Sequence, residues 1–166
     1  MRTISLFLLA VLAATSLDAA SYQKTNGTIV DPILNKTIPG FWPTTHPYSG
    51  NNLQPGADLE GADLHSANLS SADLVAANLT GANLYWSNFF YVTVTGATLT
   101  GANLSISNVS AAQLQAAASV TGIDISGNDM SDFDLSGRDL TGATLTDATL
   151  ANAIMSNANL SGATLT

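Results

Sequence analysis

The chain has 166 residues, of which 46% are hydrophobic and only 10% are charged, and it contains no cysteine. This length fits one domain, and the apolar fraction excludes a chain that is disordered throughout. The net charge of −8 argues against a basic nucleic-acid binder, and the absence of cysteine excludes disulfides, thiolate metal sites and a cysteine nucleophile.

The first twenty residues have the pattern of a secretory signal peptide. A basic start at Arg2 precedes an apolar run at residues 4–14, and small and polar residues follow it. This run is too short to cross a bilayer, which needs about 20 apolar residues; the alternative is a buried N-terminal helix. We predict that residues 1–20 are removed and that the mature protein is secreted or periplasmic, with no membrane anchor. Three cleavage points remain open, after Ser16, Ala19 or Ala20.

Residues 21–56 carry no repeat. Their prolines, which include Pro39, Pro43, Pro47 and Pro55, suit an extended and irregular path. We predict that this segment packs on the domain that follows it.

From Ala57 onward the chain repeats every five residues, as in GADLE, GADLH, SANLS and SADLV. Each unit has a large apolar residue at its centre, and most units have alanine two positions earlier. A first block covers residues 57–109, with centres from Leu59 to Val109, and a second covers residues 125–166. A period of five fits neither a helix nor a strand. It requires a chain that turns every five residues and stacks on itself as a solenoid.

These units resemble the pentapeptide-repeat family, whose motif is a small residue, Asp or Asn, Leu or Phe, and two variable residues. The resemblance covers residues 57–166. It implies an all-β solenoid, a right-handed quadrilateral β-helix with about twenty residues per coil. The central residue and the alanine would fill the interior, while the other three positions would face solvent. Residues i and i+20 would then be vertical neighbours, about 4.8 Å apart.

The spacing slips between the two blocks, at residues 110–124. Val109 and Ile125 are sixteen residues apart, which is not a multiple of five. One interpretation is a short helix that interrupts the solenoid. The alternative keeps Leu114 as a further centre and inserts one bulged residue before Val120.

Two features favour the helix. Ser110 followed three residues later by Gln113 is the pattern of a capping box, and Ala and Gln are strong helix formers. We therefore predict a helix from about Ser110 to Ala118, with Gly122 as its stop signal.

The position before each centre supplies most of the carboxylates. Stacking by twenty gives columns in which no carboxylate lies on another, which avoids repulsion between like charges. It also removes the close carboxylate pair that glycoside hydrolysis needs. The predicted columns include Asp58/Asn78/Thr98, Asp63/Asn83/Asn103, Asn68/Asn88/Asn108 and Asp73/Thr93, and in the second block Asp124/Thr144/Thr164, Asp129/Thr149, Asp134/Ile154 and Asp139/Asn159.

The acidic residues and the histidines do not form a recognisable site. Four carboxylates of the second block would lie on four successive sides of one coil, so they would diverge instead of surrounding a calcium ion. His46 and His65 have no partners suited to a metal or catalytic site, and no serine lies in a nucleophile-elbow sequence. We predict a protein that is not an enzyme, with no catalytic residue, no metal and no cofactor.

The aromatic residues are the strongest candidates for an interaction site. Eight of the eleven fall in two clusters, one at residues 41–48 and one at residues 85–91. Phe89 is a centre and belongs to the core, whereas its neighbours occupy outward positions and would form an exposed apolar patch. Three occupants are open: residues 21–56, an external protein or second copy, and a carbohydrate. The candidate patch consists of Tyr85, Trp86, Phe90 and Tyr91.

The chain stops at residue 166, within an ordinary repeat. The last coil of a solenoid exposes unpaired backbone groups and apolar side chains. Weak homodimerisation through the C-terminal coil would cover them; the alternatives are a truncated gene product and an end that is tolerated.

These features predict an exported, non-enzymatic scaffold that presents surfaces to an unidentified protein partner and binds neither nucleic acid nor, once the signal is removed, a membrane. A cyanobacterial source would make the thylakoid lumen a further location. The resemblance also implies a rival, mimicry of duplex DNA toward DNA gyrase, which acidity favours and the export signal disfavours. The third interpretation is a carbohydrate binder that uses the aromatic patch.

Overall fold

The computed structural model describes Tyr22–Gln23, Ile29–Val30 and residues 52–166. Strand β1 (Tyr22–Gln23) pairs antiparallel with β2 (Ile29–Val30). Residues 52–166 form a stack of coils and contain the helix α1 (Ala111–Ala116). The predicted signal peptide and most of residues 21–56 lie outside the described residues. Within the described ranges, no helix is long and apolar enough to cross a membrane.

Parallel bridges between residues twenty positions apart hold the coils together. Asp58 pairs with Asn78, and the next bridges along the chain start five, ten and fifteen residues later, so each coil has four sides. The bridges reproduce the predicted columns with one exception, because Asn88 pairs with Asn68 but not with Asn108. The five-residue period therefore predicted the stacking almost completely.

The core is a continuous apolar column. The repeat centres from Leu59 to Leu145 are buried, as are the alanines that precede most of them by two positions. The second block has larger residues at the alanine position of one coil, and these are buried or partly buried: Ile123, Asn128, Phe133 and Arg138. The two inward positions are therefore as predicted, but in this coil the second of them does not carry the small residue that the repeat predicted.

Many corners of the coils are closed by the Asp or Asn that precedes the centre. The side-chain oxygen of Asn83 accepts from the Tyr85 N–H at 3.2 Å, and that of Asp134 accepts from the Ser136 N–H at 2.9 Å. The amide of such an asparagine also bonds the neighbouring coil, as Asn78 Nδ2 does to Asp58 Oδ1 at 3.0 Å. Asp and Asn recur here because one short side chain closes the turn and links two coils.

The predicted short helix is present. Ser110 is its N-cap, and the reciprocal capping box between Ser110 and Gln113 is formed. The helix ends at Ala116 with Ala117 as C-cap, so the expectation that Gly122 stops it is wrong. Gly122 instead lies in the turn of the following side, with φ +67°.

Stacking continues past α1. Thr98 pairs with Ser119 and Asn103 with Asp124, so this coil has twenty-one residues. Leu114 is fully buried on α1, as the alternative interpretation required of a centre. Helix and additional residue therefore coexist: α1 replaces one side of a coil and does not separate two stacks. The columns of the two blocks are therefore continuous. One column contains both Asp63 and Asp124, which are separated by Asn83 and Asn103.

Candidate interaction surface

The four aromatic residues singled out by the sequence lie on two neighbouring corners of one coil. Tyr85, Phe90 and Tyr91 are 43%, 57% and 82% exposed, whereas Trp86 is partly buried and makes a further contact. The rings of Phe90 and Tyr91 lie 6.0 Å apart with their planes tilted by 34°. We call Tyr85, Trp86, Phe90 and Tyr91 the aromatic surface. Phe89, between the two pairs, is fully buried, as its place as a centre predicts.

Three large apolar residues of this region occupy left-handed backbone positions. Trp86, Tyr91 and Ile106 have φ of +55°, +58° and +55°. Corners elsewhere in the stack place Gly, Ser, Ala, Asn or Asp in this conformation. A side chain with a Cβ is disfavoured there by roughly 1 kcal/mol, and a β-branched one by more. These residues are therefore held against the local preference of the backbone.

Replacing Tyr91 with asparagine is expected to raise the free energy of unfolding by about 0.5 kcal/mol. Asparagine tolerates the left-handed conformation, and the ring of Tyr91 is too exposed to contribute much packing. Urea denaturation measures the change. Tyr85→Asn is the matched control, because Tyr85 is also exposed but does not have positive φ. Equal destabilisation by both variants would show that ring packing outweighs backbone strain.

Helix α1 braces the corner that carries Phe90 and Tyr91. The Gln113 side-chain Nε2 donates to the carbonyls of Phe89 and Val92, both at 2.9 Å. Its Oε1 accepts from the Ser110 N–H at 2.8 Å. The sequence identified Gln113 as a capping residue. Its bonds to the preceding coil depend on the position of α1 beneath that corner, which the sequence does not give.

An apolar groove of about 410 Å³ begins at Phe90 and continues along the next coil. Its apolar walls are Phe90, Ile106, Val109 and Phe133, and Asp129 lies on its border. A second depression lies on the other side of Phe90, between Tyr91 and α1. Sequence reasoning missed the roles of Ile106 and Phe133, although Ile106 is an isoleucine at a corner and is 46% exposed.

Several carboxyls of the stack have lowered pKa values. Hydrogen bonds from Ser131 to Asp129, from Ser136 to Asp134 and from Thr141 to Asp139 hold these pKa values below the ordinary range. The pKa of Asp63 is lowered mainly by its hydrogen bond with His65, whose Nδ1 lies 2.9 Å from Asp63 Oδ1.

His65 is thus an exposed partner of one carboxylate, and His46 lies outside the described residues. Among the residues that the structure describes, no three His, Asp or Glu side chains are placed to hold a metal ion.

The lowered pKa values predict a dependence of stability on acid. A carboxyl whose pKa is lower in the folded chain contributes stability above its ordinary pKa of about 4, and this is lost as the pH falls through the folded value. The thermal midpoint should be nearly constant from about pH 7 to about pH 5 and should fall below about pH 4. Circular dichroism melts measure it. A midpoint that rises in acid would show that relief of charge repulsion outweighs these hydrogen bonds.

Comparison with known proteins gives one family and several solved structures. A family model described as "Pentapeptide repeats (8 copies)" matches residues 55–81, 67–105 and 120–166. No curated protein sequence matches the chain.

Three of the similar solved structures are pentapeptide repeat proteins. One from the cyanobacterium Cyanothece 51142 is 25% identical, with 64% of this chain and 90% of that one covered and a TM-score of 0.35. HetL, involved in heterocyst differentiation regulation in the cyanobacterium Nostoc sp. strain PCC 7120, is 29% identical over 65% of this chain and 61% of its own, with a TM-score of 0.30. A protein of the Arabidopsis thaliana thylakoid lumen is 29% identical over 68% and 62%, with a TM-score of 0.23. The chain thus spans less than two thirds of the length of the last two.

Proposed function

Because the chain belongs to the pentapeptide-repeat family, whose model matches residues 55–105 and 120–166, we propose that it is a non-enzymatic scaffold that binds a protein partner through its aromatic surface. The observation that carries this proposal is the exposure of Tyr85, Phe90 and Tyr91 on neighbouring corners of one coil. Exposed aromatic rings bury much area on binding and dominate many protein interfaces. The proposal includes the right-handed winding of the quadrilateral β-helix, the form that these repeat proteins take.

The backbone beneath the aromatic surface is well ordered for binding. The Tyr85 carbonyl accepts from the Ser66 N–H at 2.8 Å, and the Phe90 carbonyl accepts from the Ser71 N–H at 2.9 Å. On the opposite side, Gln113 donates to the Phe89 and Val92 carbonyls and so fixes the corner that carries Phe90. A surface whose backbone is already fixed loses little conformational entropy when a partner binds.

The site of action is proposed from the sequence alone. Residues 1–20 have the signal-peptide pattern, so the mature protein would act in the periplasm or outside the cell, or in the thylakoid lumen of a cyanobacterium. Cell fractionation with mass spectrometry of the mature N-terminus tests this. A full-length chain found in the cytosol would contradict export.

The positions of the carboxylates favour a scaffold over a DNA mimic. Duplex DNA has one negative charge per ~1.7 Å of its axis, in two continuous rows. Here the carboxylates alternate with neutral side chains, since Asp58 and Asp63 are each bonded by the asparagine of the next coil. A gyrase supercoiling assay separates the two functions directly, and inhibition by the purified protein would favour the rival.

Capture from the exported fraction tests the scaffold. The parent protein is compared with a variant that carries Tyr85→Ser, Phe90→Ser and Tyr91→Ser together. Ile154→Ser is the matched control, because Ile154 is 50% exposed in another column. We expect a protein that is retained by the parent and the control and lost by the triple variant. Equal retention by all three, or retention of an oligosaccharide instead, would contradict the proposal.

Weak self-association is a separate part of the proposal. The centres Leu150, Met155 and Leu160 are less buried than the earlier ones, and Leu165 is 50% exposed. Contact between these residues of two copies would remove apolar surface from water. Sedimentation velocity over a wide concentration range tests it, and a sedimentation coefficient independent of concentration would exclude it.

A further inference from the structure

The apolar groove beside the aromatic surface has a simple structural cause. Ile106 lies directly over Gly127, since a Cβ added to Gly127 would come within 3.1 Å of Ile106 Cγ1. Phe90 and Ser110, a small residue of the next coil, line the same groove. A large side chain above a small one leaves a step, and Phe133 of the following side forms the other wall. Phe90 and Ile106 remain 57% and 46% exposed at this step.

The surroundings of the groove are acidic. Asp129 lies on its border, and the exposed Asp132 and Asp134 flank Phe133 in the sequence. Within residues 52–166, Arg138 is the one lysine or arginine. Its guanidinium donates to the Ala117 carbonyl at 3.0 Å, and it does not line the groove. Among the residues that the structure describes, the cleft thus has only negative charge around it, and this complements a ligand that is apolar and cationic.

We propose that this groove binds a cationic polypeptide segment, with an apolar side chain inserted between Phe90, Ile106 and Phe133 and an adjacent lysine or arginine paired with Asp129. This inference rests on the proposed function and names the chemical class of its partner. The apolar contact supplies most of the affinity, because exposed ion pairs contribute little. The carboxylates supply the preference for a basic segment and make the binding sensitive to salt.

A short peptide tests the groove without knowledge of the natural partner. The probe is acetyl-Lys-Lys-Phe-Lys-Lys-amide, titrated into the full chain and followed by NMR chemical shifts. The comparison peptides replace all four lysines with glutamate, or the phenylalanine with serine. We expect saturable binding of the probe with a dissociation constant on the order of 1 mM, and at least a roughly fivefold weaker interaction for both comparison peptides.

Three variants locate the binding. Ile106→Asn removes one wall and suits the left-handed backbone at that residue, so the fold is expected to persist, as a thermal melt would verify. It should weaken binding of the probe about fivefold or more, and Asp129→Asn should weaken it about threefold with a smaller dependence on salt. Asp139→Asn, ten residues from Asp129 and therefore on the opposite side of the coil, should leave binding unchanged.

Two results would overturn the inference: equal binding of the serine peptide, which indicates general attraction to an acidic protein, or no effect of Ile106→Asn and Asp129→Asn. Absence of binding up to several times the expected constant would also overturn it. The proposed function fails separately, if the triple aromatic variant still captures the same proteins. If the triple aromatic variant loses capture but the probe does not bind the parent protein, the scaffold stands and the groove is not its site.

Discussion

Replacing Asn128 with alanine is expected to lower the free energy of unfolding by about 3 kcal/mol. The Asn128 amide is buried and bonds four backbone groups at 3.1 Å or less. Its Nδ2 donates to the carbonyls of Leu104 and Ile125, at 2.9 and 3.0 Å. Its Oδ1 accepts from the N–H groups of Ser107 and Asn108, at 3.1 and 3.0 Å. Alanine would leave these groups without their partner in a region closed to water.

Urea denaturation of the full chain measures this effect, with Asn159→Ala as the control. Asn159 also bonds the neighbouring coil, but it lies at the outward position directly before a centre and is exposed, so we expect a loss below about 0.5 kcal/mol. Asn128→Asp keeps the shape and the acceptor but replaces the donor by an oxygen that faces two carbonyls, so it should destabilise at least as much as alanine. Similar stability of the Asn128 and Asn159 alanine variants would show that water replaces the lost bonds.

The position of Asn128 explains why one side chain has so large a role. It lies where the bridge expected between Asn88 and Asn108 is missing and where the coil gains its additional residue. Asn108 has φ +57° there, so its backbone leaves the regular pairing. The Phe89 N–H donates there to the Asn108 side chain at 3.0 Å and to the Ser107 carbonyl at 3.3 Å. Side-chain amides therefore supplement the backbone bonds where the coil length changes.

The repeat predicted most of the fold for a physical reason. One large residue every five positions can be buried in only one register, so the columns of bridged residues followed from spacing alone. The capping box similarly predicted α1, because both of its hydrogen bonds are local. The spacing could not show how the coils stack across the irregular segment at residues 110–124. That depends on how α1 packs, and both interpretations of residues 110–124 were partly correct.

The sequence predicted the aromatic surface but not the groove beside it. The aromatic surface lies in the first block, where stacking by twenty holds, and its outward positions followed from the repeat. The groove was not predictable, because stacking by twenty would place Ile106 over Ser126. The observed neighbour is Gly127, twenty-one residues on, where an added Cβ would come within 3.1 Å of Ile106 Cγ1 and crowd that side chain. One additional residue in one coil thus creates the groove. Because this residue changes the spacing from twenty to twenty-one, the repeat pattern alone does not predict the groove.

Replacing Gln113 with alanine is expected to cost about 2 kcal/mol of stability and to loosen the aromatic surface. The change removes the donor to the Phe89 and Val92 carbonyls and the acceptor for the Ser110 N–H. The Phe89 and Val92 carbonyls lie at the two ends of the corner that presents Phe90 and Tyr91. The free energy of unfolding is measured in urea, and the order of the corner by amide hydrogen exchange across residues 89–92.

Two further variants separate bracing of the corner from capping of the helix. Gln113→Glu keeps an oxygen for the Ser110 N–H but places a carboxylate against two carbonyls, so at neutral pH it should be no more stable than Gln113→Ala. Gln115→Ala is the matched control on α1: Gln115 is exposed and donates to the Asp134 carbonyl at 2.8 Å, and its loss should cost below about 0.5 kcal/mol. If Gln113→Glu were as stable as the parent, capping alone would account for Gln113. If both variants left exchange at residues 89–92 unchanged, the aromatic surface would owe its order to the stack and not to α1.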